Sequence, residues 1–125
     1  MYGADLSAWE DYLNRPANSL MVVQSVATRN GWDNYEGSAW YLASTESADR
    51  RLTVAVGFFP DSVGGTMAEA AAGSYNAHYR VVAEQLASYG HDDAIIRVAW
   101  EFNGDWYPWG YLVPGQDQDH YAKNY

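Results

Sequence analysis

Glu101 is the residue in this sequence around which chemistry is most readily built. It closes the apolar run 94–100 (AIIRVAW) and opens a loop, 102–110, that holds Asn103, Asp105, Trp106, Tyr107 and Trp109. A carboxyl flanked by indoles has its acid form favoured by desolvation, the condition a general acid needs. Strand alternation places Arg97, Ala99 and Glu101 on one side, with Ile96, Val98 and Trp100 on the other. An arginine on an inward face must find a carboxylate or cost several kcal/mol, so Arg97 reads as structural or electrostatic support. Each assignment has a plainer counterpart. Glu101 is otherwise a solvated rim carboxylate, and Trp106 and Trp109 are otherwise packing that pins the loop. Asn103 beside Gly104 is as readily a turn residue with positive φ as a ligand contact.

The aromatic content points to a class of ligand. Six Trp, eleven Tyr and three Phe make 16% of the chain, against 18% charged residues, and many lie beside Gly, Asn, Asp and Pro in loops. Rings with polar edges suit flat, hydroxyl-rich molecules, sugars above all, with carboxylates and amides taking the hydroxyls. Trp32, Asp33 and Tyr35 after the first apolar run, and Phe59 and Asp61 after the second, are candidates for more distant contacts. A net charge of −9 argues against nucleic acid and anionic membranes as partners. No apolar run approaches the ~18 residues of a membrane helix, and the N-terminal MYGADLSAWE has no basic-then-apolar signal. Without cysteine, disulfides, thiolate metal sites and cysteine nucleophiles are excluded. His78, His91 and His120 have no metal-ligand spacing, and no Gly-x-Ser-x-Gly elbow or phosphate loop is present. Neither a metal nor an organic cofactor is expected.

The elements that must position these residues alternate. Residues 7–14 read as a helix, with Ser7 and Glu10 as a capping box and Pro16 as its stop. Residues 20–26 form a strand, 28–37 a loop and 38–50 a weaker helix. A second strand spans 52–59, nearly continuous in apolar character, as when both faces are covered. Thr66 with Glu69 caps a long helix whose stripe runs Met67, Ala71, Tyr75, His78, Val82, Leu86, Tyr89, closing at Gly90. The third strand is 94–100, and a last helix begins near Asp117. Alternating strands and helices predict an α/β fold with a parallel sheet. No glycine-rich turn follows the first strand, so a (β/α)8 TIM barrel is favoured over an open dinucleotide-type sheet. A whole barrel needs ~250 residues. Residues 1–125 are therefore expected to be a single N-terminal part of a barrel, roughly its first half, ending inside a helix. Such a piece, with an open sheet edge, is expected to self-associate when made alone.

The segment IIRVAWEFNGDWYPWG resembles the fourth-strand motif of glycoside hydrolase family 26, whose clan includes the endo-β-mannanases. The pair Phe59-Pro60, the stretch Tyr75-Asn76-Ala77-His78-Tyr79-Arg80 and residues 9–16 (WEDYLNRP) extend the likeness over nearly the whole chain. The resemblance implies a retaining β-glycanase on a (β/α)8 barrel, secreted to meet a polysaccharide substrate. It makes Glu101 the general acid/base and Trp106 a sugar-stacking residue, with Asn103 and Trp109 shaping that subsite; Trp100, beside Glu101, and Trp32, on the loop after the first strand, are further candidate contacts outside that carry-over. The nucleophilic glutamate belongs near the end of the seventh strand, beyond this sequence. Retention needs both carboxyls ~5–5.5 Å apart, so this segment alone is not expected to hydrolyse. Trp100 stands where the mannanase motif has histidine, which leaves the particular β-glycan open. The alternative is a non-catalytic sugar-binding barrel, or a truncated chain keeping only sugar contacts. An interaction module using its aromatics to bind protein is a third reading.

Overall fold

The computed structural model describes residues 6–14, 19–26 and 30–115. The chain order is α1 (Leu6–Leu13), β1 (Ser19–Val26), α2 (Trp32–Thr45), β2 (Arg51–Val56), a 3-10 turn (Asp61–Val63), α3 (Met67–Ala71), α4 (Asn76–Ser88) and β3 (Ile95–Val98). Pro16 and the helix anticipated near Asp117 lie outside the described residues.

Among the described residues, three parallel strands form one sheet in the order β1-β2-β3. The register joins Leu20 to Leu52 and Val22 to Val54 on one side, and Val54 to Ile96 and Ala55 to Arg97 on the other. Each crossover steps the same way along the sheet. Right-handed crossovers with a constant direction deposit their helices on one face, and α2 and α4 do pack against each other. On that face Leu52 and Val54 meet Tyr35, Ala39, Leu42, Ala43, Val82 and Leu86. The opposite face carries a second core, where Ala55 meets Phe59, Met67, Ala99, Trp100 and Trp109. The α/β class and the parallel sheet follow the sequence reading.

Several boundaries do not. α1 begins at Leu6, so Ser7 lies inside it and not at its cap, and Glu10 pairs instead with Arg50 Nη2 at 2.7 Å. The stretch anticipated as a loop to Gly37 is helical from Trp32, entered through Gly31 at φ 87. Its Asp33 sits in the first turn, where a negative charge complements the helix dipole. That helix ends at Thr45, five residues short of Arg50, where Glu46 turns extended. The long helix after Thr66 is two helices. Its capping box with Glu69 forms as anticipated, but Gly73 at φ 84 breaks the run. A Cβ there would press on the Asn76 amide, so glycine fits the junction where other residues do not.

β2 also stops early, at Val56 rather than Phe59. Two tyrosine hydroxyls take the place of ladder donors: Tyr35 donates to the Gly57 carbonyl at 2.7 Å, and Tyr79 to the Phe58 carbonyl at 2.6 Å. α2 and α4 thereby pin the strand's exit, which delivers Phe59 to the second core. Tyr35→Phe leaves the buried Gly57 carbonyl without this donor, and should cost about 1–3 kcal/mol in denaturant unfolding. A change within experimental error would remove the hydroxyl from this role.

The same phenols make stability depend on alkaline pH. Burial, and then Tyr75, push Tyr79 up to about 12. Burial, with Tyr79 adding to it, raises Tyr35 well above its ordinary range. Unfolded tyrosines titrate near ~10. A folded value above the unfolded one gives a contribution complete below pH ~10 and lost as pH climbs through about 12. The unfolding midpoint should hold steady to pH ~9.5 and then fall, and Tyr79→Phe should make that fall shallower.

Candidate functional site

β3 ends at Val98, and Ala99 N–H makes a last link to the Val56 carbonyl at 2.8 Å. Beyond it the backbone twists: Ala99 has φ 29 and Glu101 φ 53. Non-glycine residues in the left-handed region cost of order 1–3 kcal/mol each and cluster at functional sites. The twist overrides strand alternation. Ala99 and Trp100 are both buried, while Glu101 is turned out into solvent. The sequence expectation that Arg97, Ala99 and Glu101 share one face therefore fails, because the pleat ends at the last ladder residue. Arg97 alone keeps its register position opposite Ala55. It is exposed, with no ion pair among the described residues. Water on the open sheet face supplies the solvation that a closed interior would have withheld.

Glu101 meets one indole, edge-on. Trp106 Nε1–H donates to Glu101 Oε2 at 2.8 Å. The Trp106 ring is 59% exposed. One side of it lies over Gly104, where an added Cβ would overlap ring carbons Cη2 and Cζ3. Gly104 is itself buried, and its carbonyl accepts from Leu112 N–H at 3.1 Å. A Cβ on Gly110 would strike that same carbonyl. Two glycines stacked backbone to backbone thus form a seat, with the indole laid on top. A carboxylate has lone pairs beyond this one bond, so an exposed ring and an accepting carboxylate stand side by side at the strand's end. The caging by several indoles that the sequence suggested is not what forms.

The other tryptophans do different work. Trp109 is fully buried, donates to the Trp100 carbonyl at 2.9 Å and stacks on Tyr107 at 4.9 Å. Trp100 meets Trp109 at 5.2 Å and Tyr107 at 5.3 Å, edge to face. This knot of three rings anchors the loop from below. Trp100 and Trp109, anticipated as ligand contacts, present no free face here and serve to pack. Asn103 is exposed in the turn, and the positive φ weighed for it falls on Glu101 instead. Trp32 lies in α2 rather than in a loop, stacked on His78 at 3.8 Å and 2°.

His78, expected within the core stripe, binds Glu36 Oε1 through Nδ1 at 2.6 Å, ties α4 to α2 and is partly exposed. Trp32 and Glu36 stand four residues apart on one helix, a pairing readable only once residues 32–37 are recognised as helical. Among the described residues, no group of three His, Asp or Glu is placed to hold a metal ion. Comparison of the chain with protein-family models, curated proteins and solved structures gives no match.

Proposed function

We propose that Glu101 and Trp106 form the acid/base end of a retaining β-glycanase active site, on the first half of a (β/α)8 barrel. The observation that carries this reading is the Trp106–Glu101 hydrogen bond of 2.8 Å beside an indole face held open on a glycine seat. Three further features support it. The strands step in one direction with α2 and α4 on one face, as an arc of a barrel requires. The carboxylate stands at the C-terminal end of a parallel strand, where barrel enzymes place catalytic groups. Residues 95–110 resemble the strand motif of glycoside hydrolase family 26 at Arg97, Glu101, Asn103, Gly104, Trp106 and Trp109.

A pyranose lies with its apolar face on Trp106 and its glycosidic oxygen toward Glu101. Protonated Glu101 gives its proton to that oxygen as the glycosidic bond breaks. A carboxylate nucleophile from a later strand, outside these residues, takes the anomeric carbon. The Glu101 carboxylate then removes a proton from water, whose oxygen displaces the enzyme and restores the β configuration. The substrate class is a β-linked polysaccharide, met outside the cell. A non-catalytic sugar-binding barrel is the second reading. The exposure of Glu101, which among the described residues holds a single hydrogen-bonded partner, favours it.

Proton NMR of the first products made by the full-length gene product from mannan and glucan oligosaccharides separates these. β-Anomers should appear first, before mutarotation. An α-first product would contradict retention, and cleavage of no β-glycan would leave the binding reading.

A further inference from the structure

Trp40, midway along α2, and Tyr89, at the C-cap of α4, meet on the outer surface of the helical layer. Trp40 is 51% and Tyr89 40% exposed, and the indole Nε1–H donates to the Tyr89 hydroxyl at 3.0 Å. We propose that this pair is a second sugar-binding site; its ligand class, a neutral β-linked polysaccharide, rests on the function proposed for Glu101 and Trp106.

The surroundings of the indole are those of a platform. No ring among the described residues packs on it. Gly37, three residues back on the same helix, keeps the neighbouring surface bare, and a Cβ there would meet nothing within 4 Å. The bond to Tyr89 holds the ring by its edge, so little further ordering is needed when a ligand arrives. The Tyr89 hydroxyl accepts from Trp40 and keeps its own proton to donate. Gln85 stands one turn before Tyr89 on the same face of α4. It is half-buried, and its amide nitrogen is neither bonded nor buried among the described residues. A ring bordered by a phenol and an amide suits a pyranose, apolar face on the indole and hydroxyls on the polar groups.

Charge and area select the occupant. α2 has no Lys or Arg, and the one on α4, Arg80, lies nine residues before Tyr89, ~13.5 Å along the helix. An anionic polymer or membrane finds no counter-charge here, whereas an uncharged glycan needs none. A protein partner needs ~800 Å² on this side, and two rings supply at most ~500 Å². Trp40 lies eight residues beyond Trp32, ~12 Å along α2 from the rim that carries Glu101. A sugar seated on it is therefore held and not cut, and a polymer reaching both places is retained by two contacts.

Retention of the full-length gene product on insoluble mannan and cellulose particles, read as bound over free protein, is the test. Trp40→Ala and Trp106→Ala should each lower retention about tenfold, and the double variant should fall below either. Tyr89→Phe keeps the ring but loses the hydroxyl that orients the indole, and should lower retention about threefold. Matching far-UV circular dichroism confirms that the variants are folded. Loss in Trp40→Ala alone would uphold this site and count against Trp106 as a sugar platform. Loss in Trp106→Ala alone, with Trp40→Ala retained like the parent, would overturn this site and leave the reading of Glu101 and Trp106 intact. A parent that neither polymer retains, or a double variant held as tightly as the parent, would also overturn it.

Discussion

Glu101→Gln in the full-length gene product should lower turnover on β-linked polysaccharide by about 10²–10⁴-fold, the usual worth of a positioned proton donor. Gln keeps the shape of the side chain and can still accept from the Trp106 N–H, so the loop should keep its fold. What it lacks is a proton to give and a charge with which to activate water. The loss should therefore depend on the leaving group. An unactivated sugar needs its oxygen protonated as it departs, whereas an activated aryloxide leaves unaided. Aryl glycosides should thus retain most of their glycosylation rate, with the defect moved to hydrolysis of the intermediate. Undiminished cleavage of polysaccharide by Glu101→Gln would exclude Glu101 as the acid.

Gly110→Ala and Gly104→Ala should fail differently, and the contrast tests the seat beneath Trp106. The Cβ of Gly110→Ala runs into the Gly104 carbonyl, and backbone on both sides leaves little room to yield. Overpacking of that kind costs about 1–3 kcal/mol, and a lower thermal midpoint should accompany weaker sugar binding. The atoms nearest the Cβ of Gly104→Ala all belong to the Trp106 ring, which is 59% exposed and can swing aside. Because the ring can yield into solvent, the loss of stability should be smaller than for Gly110→Ala, under about 1 kcal/mol. Binding of oligosaccharides should nevertheless weaken by about tenfold, ~1.4 kcal/mol, because the ring leaves Glu101. If Gly104→Ala bound sugar as tightly as the parent, the indole would not be the platform.

The sequence showed the strands more clearly than the helices, for identifiable reasons. Residues 20–26 and 52–56 are dense in branched apolar side chains, and the sheet forms where they stand. The start of α2 was hidden because Asn30, Gly31, Asp33 and Asn34 are turn-formers. Here they serve as an entry, with Asn34 donating to the Asn30 carbonyl at 3.2 Å. Gly73 does not interrupt the apolar stripe in the sequence, yet its φ of 84 splits that stripe into two helices.

At the site, the meeting of Glu101 with Trp106 was legible, five residues apart across a tight loop. The direction of Glu101 was not, since counting alternate residues holds only inside a ladder, and Ala99 and Glu101 lie past its end. Composition cannot separate an indole that binds from one that packs. Trp106 and Trp109 differ only in that one rests on a glycine facing water and the other lies beneath the loop.

The open face of Trp106 beside the Glu101 carboxylate is where sugar should bind, and the six indole N–H signals of the nitrogen-15-labelled chain report on it directly. On titration with β-1,4-linked manno- and gluco-oligosaccharides, the Trp106 signal should shift progressively as its bond to Glu101 is remade around the sugar. The buried Trp109 signal should stay in place, and the response should vanish in Trp106→Ala. A Trp106 resonance indifferent to every β-linked sugar, or saccharide binding that survives Trp106→Ala unchanged, would contradict binding at that face.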